Sequence, residues 1–425
     1  VALAWSLHPP EKCFQLSIAI AFTAIVARIT KVALMTGKRA VMSEYPVFNK
    51  LRQELGLAHF ATNKVTLSGC GPIYPTPFAI GDAAASILAL QGIMLDVLRG
   101  TQQDIHVNAH CAAASTHAVT FQQQNGYNWQ YNDPDYPTTD FYLTQDNRWI
   151  FLHGGYPRLR DGILDILDVP NNRARVAQAV AKWNAEALEE TIARAGLCAA
   201  IARSHDEWLA HPQGQAVSQE PLIRFTRLTN SSPKPRQYGN ERVLQSLRVL
   251  DFTHVIAGPT ATRGLAQMGA DVLHVSSPYR PRILPFDVDT NHGKRNAYLE
   301  LSSADGARRA AQLVREGDVF VQSYRPGALA RYGLSNEEMA HNNPHIITVN
   351  LNCYGHRGPW KDRPGFEQLA QTITGMAVAQ GEAGQPQLGP TYPNDYLSGY
   401  LATLGVLMAL ERQRHEGGAW QVDVS

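Results

Sequence analysis

The amino-acid sequence predicts an α/β protein: a Rossmann-like, doubly wound parallel sheet in the C-terminal half, with a smaller α+β domain in the N-terminal half. Two patterns carry that expectation. From residue 247 onward, short apolar runs alternate with stretches of helical periodicity, the rhythm of parallel strands joined by crossover helices. Before residue 228, long helical stretches are interrupted by one polar, aromatic segment that reads as a loop and a hairpin.

Residues 1–41 differ in composition from the rest of the chain and are expected to be a non-native or leader-like segment. Their apolar run, 13–27, is shorter than the roughly 20 apolar residues a membrane span needs, and Gln15 and Ser17 interrupt it. It also lacks a good small-residue cleavage pattern. Met42 opens an amphipathic helix and the region 42–228, in which 81–100 and 173–196 are helical and 122–155 is an aromatic loop followed by a hairpin. Residues 229–246 combine Ser, Pro, Asn and Gly without periodicity and read as a linker.

The region 247–425 then unfolds element by element. Residues 247–253 form an apolar run, Pro259 and Gly269 bracket a helix, and 271–278 is the next strand. Ser303 and Gly317 bracket a second helix, 318–324 is a strand, and Ser335 with Glu338 makes a capping box. Residues 345–355 close the series. One similarity is internal: 81–108 and 395–425 both run helix, polar break, strand, as two copies of one unit would. The second copy stops as its strand begins, so the natural polypeptide is expected to continue past Ser425.

Composition narrows the function classes. With 425 residues the chain can form two or three domains, and 44% apolar with 18% charged residues is the make-up of a globular protein. Lys+Arg is 38 against 37 Asp+Glu, so nothing calls for a nucleic acid or a membrane as partner. The five cysteines (Cys13, Cys70, Cys111, Cys198, Cys353) are odd in number and show no CxxC spacing. That argues against a disulfide framework or a metal site and fits a reducing, cytoplasmic setting. Cys353, in an apolar stretch, reads as a small buried hydrophobe.

Five strings in order over residues 247–425 resemble the class III (CaiB/BaiF-type) CoA-transferases: VLDFTHVIAGPTATRGLAQMGADVLHV, NHGKRNAYLEL, DVFVQSYRPGALARYGLS, YGHRGPWKDRPGFEQLAQTITGM and YPNDYLSGYLATLGVLMAL. Residues 143–167 and 199–217 resemble the small domain that normally follows the catalytic half in that family, yet here they precede it. The half-domains are therefore permuted or derived from a tandem fusion. The resemblance implies transfer of CoA between an acyl-CoA and a carboxylic acid acceptor, with CoA as substrate and no tightly bound cofactor. It also implies a homodimer, interlocked in that family.

The resemblance further implies that Asp395 is the nucleophile that takes up the acyl group. Asp395 stands near a helix N-terminus, where the dipole favours its charged form. Taken by itself, the residue equally suits a helix cap. His254, Val255, Ala257 and Gly258 occupy the loop after the first strand, the place where open α/β sheets bind ligands. His254 is either a partner of the thioester or acceptor, or an ordinary loop histidine. Asn291, Lys294, Arg325, Tyr354, Gly355 and Lys361 lie in the family-like strings as contacts to CoA, with Arg295 beside them; lysine and arginine suit its phosphates. Asp82 is the nearest acid to an equivalent of Asp395 in the first copy, about three residues out of step. Tyr127, Trp129, Tyr131 and Tyr136 either shape an acyl pocket or pack against the second domain.

Two alternatives stay open on the sequence. Acyl-CoA racemases resemble the same segment but carry a histidine where this chain has Phe366, which leaves one aspartate without a partner base. A non-catalytic CoA-binding partner subunit would account for the permuted order and for the lack of a family-like glycine run, to which only Gly154–Gly155 comes near.

Overall fold

A computed structural model describes residues 45–60, 64–128 and 136–425; the segment 1–41 and the loop aromatics Trp129 and Tyr131 lie outside the described residues. The described residues start with helix α1 (Pro46–Glu54), strand β1 (Val65–Ser68), helix α2 (Ile80–Arg99), strand β2 (Ile105–Asn108) and helix α3 (Ala109–Ser115). A three-stranded antiparallel layer comes next, built from β3 (Thr139–Leu143), β4 (Trp149–His153) and β5 (Ala199–Ile201). Helices α4 (Pro157–Leu167), α5 (Arg173–Val180) and α6 (Ala185–Arg194) separate β4 from β5, and α7 (His205–Ala210) and α8 (Pro212–Ser218) come after them.

Strand β6 (Arg224–Arg227) leads into the C-terminal series. This runs β7 (Arg248–Phe252), α9 (Ala257–Gln267), β8 (Asp271–Ser276), α10 (Leu284–Thr290), β9 (Lys294–Tyr298), α11 (Ala304–Glu316) and β10 (Val319–Gln322). It continues with α12 (Asn336–Asn342), β11 (Ile347–Leu351), α13 (Glu367–Ile373), α14 (Met376–Gln380), α15 (Pro393–Glu416) and β12 (Trp420–Val424).

Seven strands form one sheet in the order β9-β8-β7-β10-β11-β12-β6, every pair parallel except β12 with β6. A parallel sheet covered on both faces needs near-continuous apolar strands, and β11 is buried at every position. The large, mostly parallel sheet expected from the alternation is thus present. Its antiparallel edge strand β6 comes from the N-terminal half; it is short and arginine-flanked, a form that discourages further pairing. Helix ends fall where the side chains mark them: Ser303 accepts from the Gly306 amide, and Ser335 with Glu338 forms a reciprocal capping box.

The N-terminal half does not fold as one smaller domain. Its opening part joins the main core, a continuous cluster that includes Phe48, Leu51, Ile87 and Leu90 together with Val249, Val349, Leu404 and Val422. Helix α2 is apolar all round because it lies inside, against α15, where the Gln91 side chain donates to the Tyr400 carbonyl at 2.8 Å. The α+β layer with its own core, around Phe151, Ile163, Val180 and Trp208, is confined to residues 139–218 and closes against Tyr354, Trp360 and Leu369. Helical periodicity alone reveals neither partner. Residues 229–246 connect β6 to β7, with Ser232, Pro233 and Lys234 exposed but Val243 and Leu244 buried.

The two copies suspected from sequence have matching architecture. Strands β1 and β2 pair in parallel with α2 between them, as β11 and β12 do with α15 between them.

Candidate active site

A cavity of about 620 Å³ opens at the carboxyl ends of β7, β10, β11 and β12, where His254, Ser323, Asn352 and Ser425 follow the strands. Its first wall is the loop between β7 and α9. Burial would raise the Asp251 carboxyl, but the Lys294 ammonium at 2.8 Å and hydrogen bonds from Thr253 hold it down at about 2. Thr262 donates to the same carboxylate at 2.6 Å, so the two ends of the loop are tied to one buried anion. Within it Val255 has φ +70°, a conformation costly for a β-branched residue and stable only where the surroundings impose it.

His254 is held neutral. Burial and the neighbouring Arg280 push it down to about 3, and an Arg280 N–H donates to its Nε2 at 2.8 Å. Nδ1 then carries the proton and faces the Ser323 hydroxyl at 3.5 Å. With its lone pair engaged, His254 is a wall of the cavity rather than a free base.

Asp395 is the third residue of α15 and lines the cavity. One turn further on, a Cβ on Gly399 would lie 2.6 Å from the Ala257 carbonyl, so a small residue is required where α15 crosses the start of α9. That close crossing brings Asp395 to the loop that ends at Ala257, whose amide belongs to the first helical turn and has no intrahelical acceptor.

Glu367, the first residue of α13, stands beside Asp395. Its carboxylate accepts from the Asp395 amide at 2.6 Å, the Asn394 side chain at 2.7 Å and the Gln371 side chain at 2.7 Å. Burial pushes Asp395 up to about 7, and burial together with the Asp395 charge pushes Glu367 up to about 8. The pair therefore shares its protons near neutrality. Nothing in the sequence singles out Glu367, since an acid in the first turn of a helix usually does no more than favour the dipole.

The mouth carries three exposed arginines, Arg158, Arg325 and Arg331. Only Arg325 was expected; Arg158 comes from the small layer and Arg331 from the turn after Arg325. Tyr354 is buried and lines the cavity, while Gly355 packs outside it, at φ +88° against Val217. Gln213 of α8 donates to the Tyr354 and Arg357 carbonyls and accepts from the Trp360 amide, so the small layer anchors this turn.

Several expected contacts lie elsewhere. Lys294 is fully buried on Asp251 and on the Pro259 carbonyl, so it braces the loop instead of meeting a phosphate. Asn291 accepts from or donates to His274 at 2.9 Å and borders a second, smaller cavity of about 290 Å³. Arg295 forks onto Asp271 on the surface, and Lys361 is exposed away from the cavity. Gly258 is packed on Thr253, 2.5 Å from a Cβ added there, and does not reach the cavity. Phe366 lines it, edge-on to His153 with ring centres 4.2 Å apart. The Cys353 thiol is raised well above its ordinary value, first by burial, and points at the Phe366 carbonyl at 3.7 Å.

Counted from the helix start, Asp82 is in step with Asp395: it is the third residue of α2, as Asp395 is of α15, and Gly92 and Gly405 then share a position as well. Its carboxylate accepts from the Gly71 amide at 3.0 Å and lines neither cavity.

A mostly parallel α/β sheet with paired acids and an arginine-lined mouth at its carboxyl edge defines a site for an anionic ligand and carboxylate chemistry. Residues 244–425 match CoA-transferase family III. It is 32% identical over 316 residues to the acetyl-coenzyme A transferase nodX of Hypoxylon pulicicidum, covering 68% of this chain and 52% of that protein. It is 33% identical over 197 residues to the formyl-CoA:oxalate CoA-transferase of Streptomyces coelicolor, covering 43% of this chain and 48% of that protein. A solved CaiB/BaiF family protein from Brucella suis is similar at 26% identity over 42% of this chain and 51% of that one, with a TM-score of 0.40. The chain spans about half the length of the curated relatives it matches.

Proposed function

We propose that this protein transfers CoA between an acyl-CoA thioester and a carboxylic acid, with Asp395 as covalent nucleophile. The observation that carries the reading is a cavity-facing aspartate poised near neutrality, paired with a buried glutamate, below a mouth of exposed arginines. The strand order fits a Rossmann-like crevice: β7 and β10 are neighbours at the point where the order reverses, and the loops after both border the cavity. The arginines suit the phosphates of CoA.

Ionised Asp395 attacks the thioester carbonyl carbon; the C–S bond breaks and CoA leaves as thiolate, giving a mixed anhydride. The thiolate then attacks the aspartyl carbonyl and expels the donor acid as carboxylate, leaving an aspartyl-CoA thioester. The acceptor carboxylate runs the same two steps in reverse and restores Asp395. No proton is gained or lost overall. Each step develops an oxyanion, for which the free Ala257 amide is a suitable donor.

Racemisation would need a second free base at the cavity, and Glu367 is not one, since its oxygens already accept from the Asp395 amide, Asn394 and Gln371. Phe366 stands at the racemase histidine position, and the lone pair of His254 is engaged by Arg280. A homodimer and a cytoplasmic setting belong to the same reading.

Intact-mass measurement after incubation with a panel of acyl-CoAs, with and without hydroxylamine, tests the proposal. A donor-dependent, hydroxylamine-sensitive adduct on the wild type that is absent from Asp395→Asn is expected. A protein that binds CoA yet gives no adduct with any donor defeats it.

A further inference from the structure

Beyond the paired carboxylates the cavity changes character. Helices α13 and α15 both begin at the pair, and each presents one stripe to the cavity: Ala370 and Ile373 from α13, Leu397 and Leu401 from α15. Residues 367 to 373 and 395 to 401 each span six steps, about 9 Å along a helix axis. Val217 and Leu222 add to the same apolar lining.

Among the described residues, no charged side chain adds to these stripes. The neutral groups Asn352, Thr374 and Ser398 supply the polarity of this floor. Of the cavity's arginines, Arg158, Arg325 and Arg331 are at the exposed mouth. Arg280 is engaged by His254 and the Tyr324 ring, and Arg363 by Glu190 and the Trp360 ring. Burial raises Asp395, which makes no ion pair among the described residues.

Resting on the transfer reading above, we propose that both donor and acceptor acids are apolar monocarboxylates, whose hydrocarbon body lies on the Ala370–Ile373 and Leu397–Leu401 stripes. A short dicarboxylate placed at Asp395 would bury its second charge on this floor without a partner, so the site selects against it. Each methylene added to the acyl group, by contrast, covers apolar wall.

The test measures CoA exchange by the full chain between octanoyl-CoA and isotopically labelled octanoate, beside the acetyl and succinyl pairs. The expected kcat/KM for octanoyl exceeds that for acetyl by at least about tenfold and that for succinyl by about a hundredfold. In Ala370→Leu the octanoyl-to-acetyl ratio falls at least about fivefold, because the added volume occupies the floor. Succinyl exchange equal to or faster than octanoyl exchange overturns this inference and leaves the transfer reading standing. No exchange with any pair, in a protein whose octanoyl-CoA and succinyl-CoA dissociation constants are equal, overturns both. The wild-type comparison decides the matter even where Ala370→Leu fails to fold.

Discussion

At Asp395 and Glu367 the same burial that would prepare the proposed chemistry weakens the fold. Both acids titrate near 4 in an unfolded chain and near 7 and 8 in the native one. Between those limits the native state binds more protons, so stability falls as pH rises, and the full cost is present above about pH 8. Asp395→Asn removes the charge, and at pH 8 it is expected to stabilise by on the order of 2 kcal/mol, or roughly 2–4 °C in Tm. At pH 4.5, just above the ordinary aspartate value, the gain should shrink to about a quarter of that at pH 8; thermal melts at the two pH values check this. Activity runs in the opposite sense. On the proposed mechanism, in which only ionised Asp395 attacks, the rate of adduct formation should drop about tenfold per unit below pH 7 and level off above it. At this scale a motif led to residues that line the cavity, as for Asp395 and Arg325. The sequence failed where a partner is distant along the chain. Lys294 reads as a loop cation because Asp251, which buries it, is 43 positions away, and Glu367 gains meaning only from the helix start it faces.

Among the elements, α9 and α15 set the geometry of the site through small residues. A Cβ on Gly264 would lie 2.8 Å from the Thr403 hydroxyl, and one on Gly399 would lie 2.6 Å from a backbone carbonyl that cannot move cheaply. Gly399→Ala should cost about 1–3 kcal/mol, read as a lower urea midpoint at unchanged slope. It should also slow adduct formation, because the turn bearing Asp395 is lifted from the loop at Ala257. Alternating runs and marked helix ends made the parallel series legible, down to the caps at Ser303 and Ser335. Strand β6 was hidden because RFTR has no apolar alternation of its own; it is a strand because β12 offers an edge. The role of α2 was equally hidden, since an apolar helix does not say which neighbour covers it.

At the scale of the molecule, the chain's first half reaches the site of the second. Arg158 and Tyr156 border the cavity, Gln213 anchors the turn at Tyr354, α2 lies on α15, and β6 completes the sheet. These contacts are side chains and backbone meeting in space, and none depends on the peptide bonds near residue 233. A protease site inserted between the exposed Ser232 and Pro233 should therefore yield, after cleavage, two pieces that elute together in gel filtration and still form the Asp395 adduct. Separation of the pieces on cleavage would show that the connection itself is structural. If they stay together, the segment 229–246 acts mainly as a tether that sets an effective concentration of one half for the other, in the millimolar range for a short link. The same two surfaces would then recognise each other across polypeptides, and exchange of halves between neighbouring molecules would be governed by how much of each is present rather than by gene order.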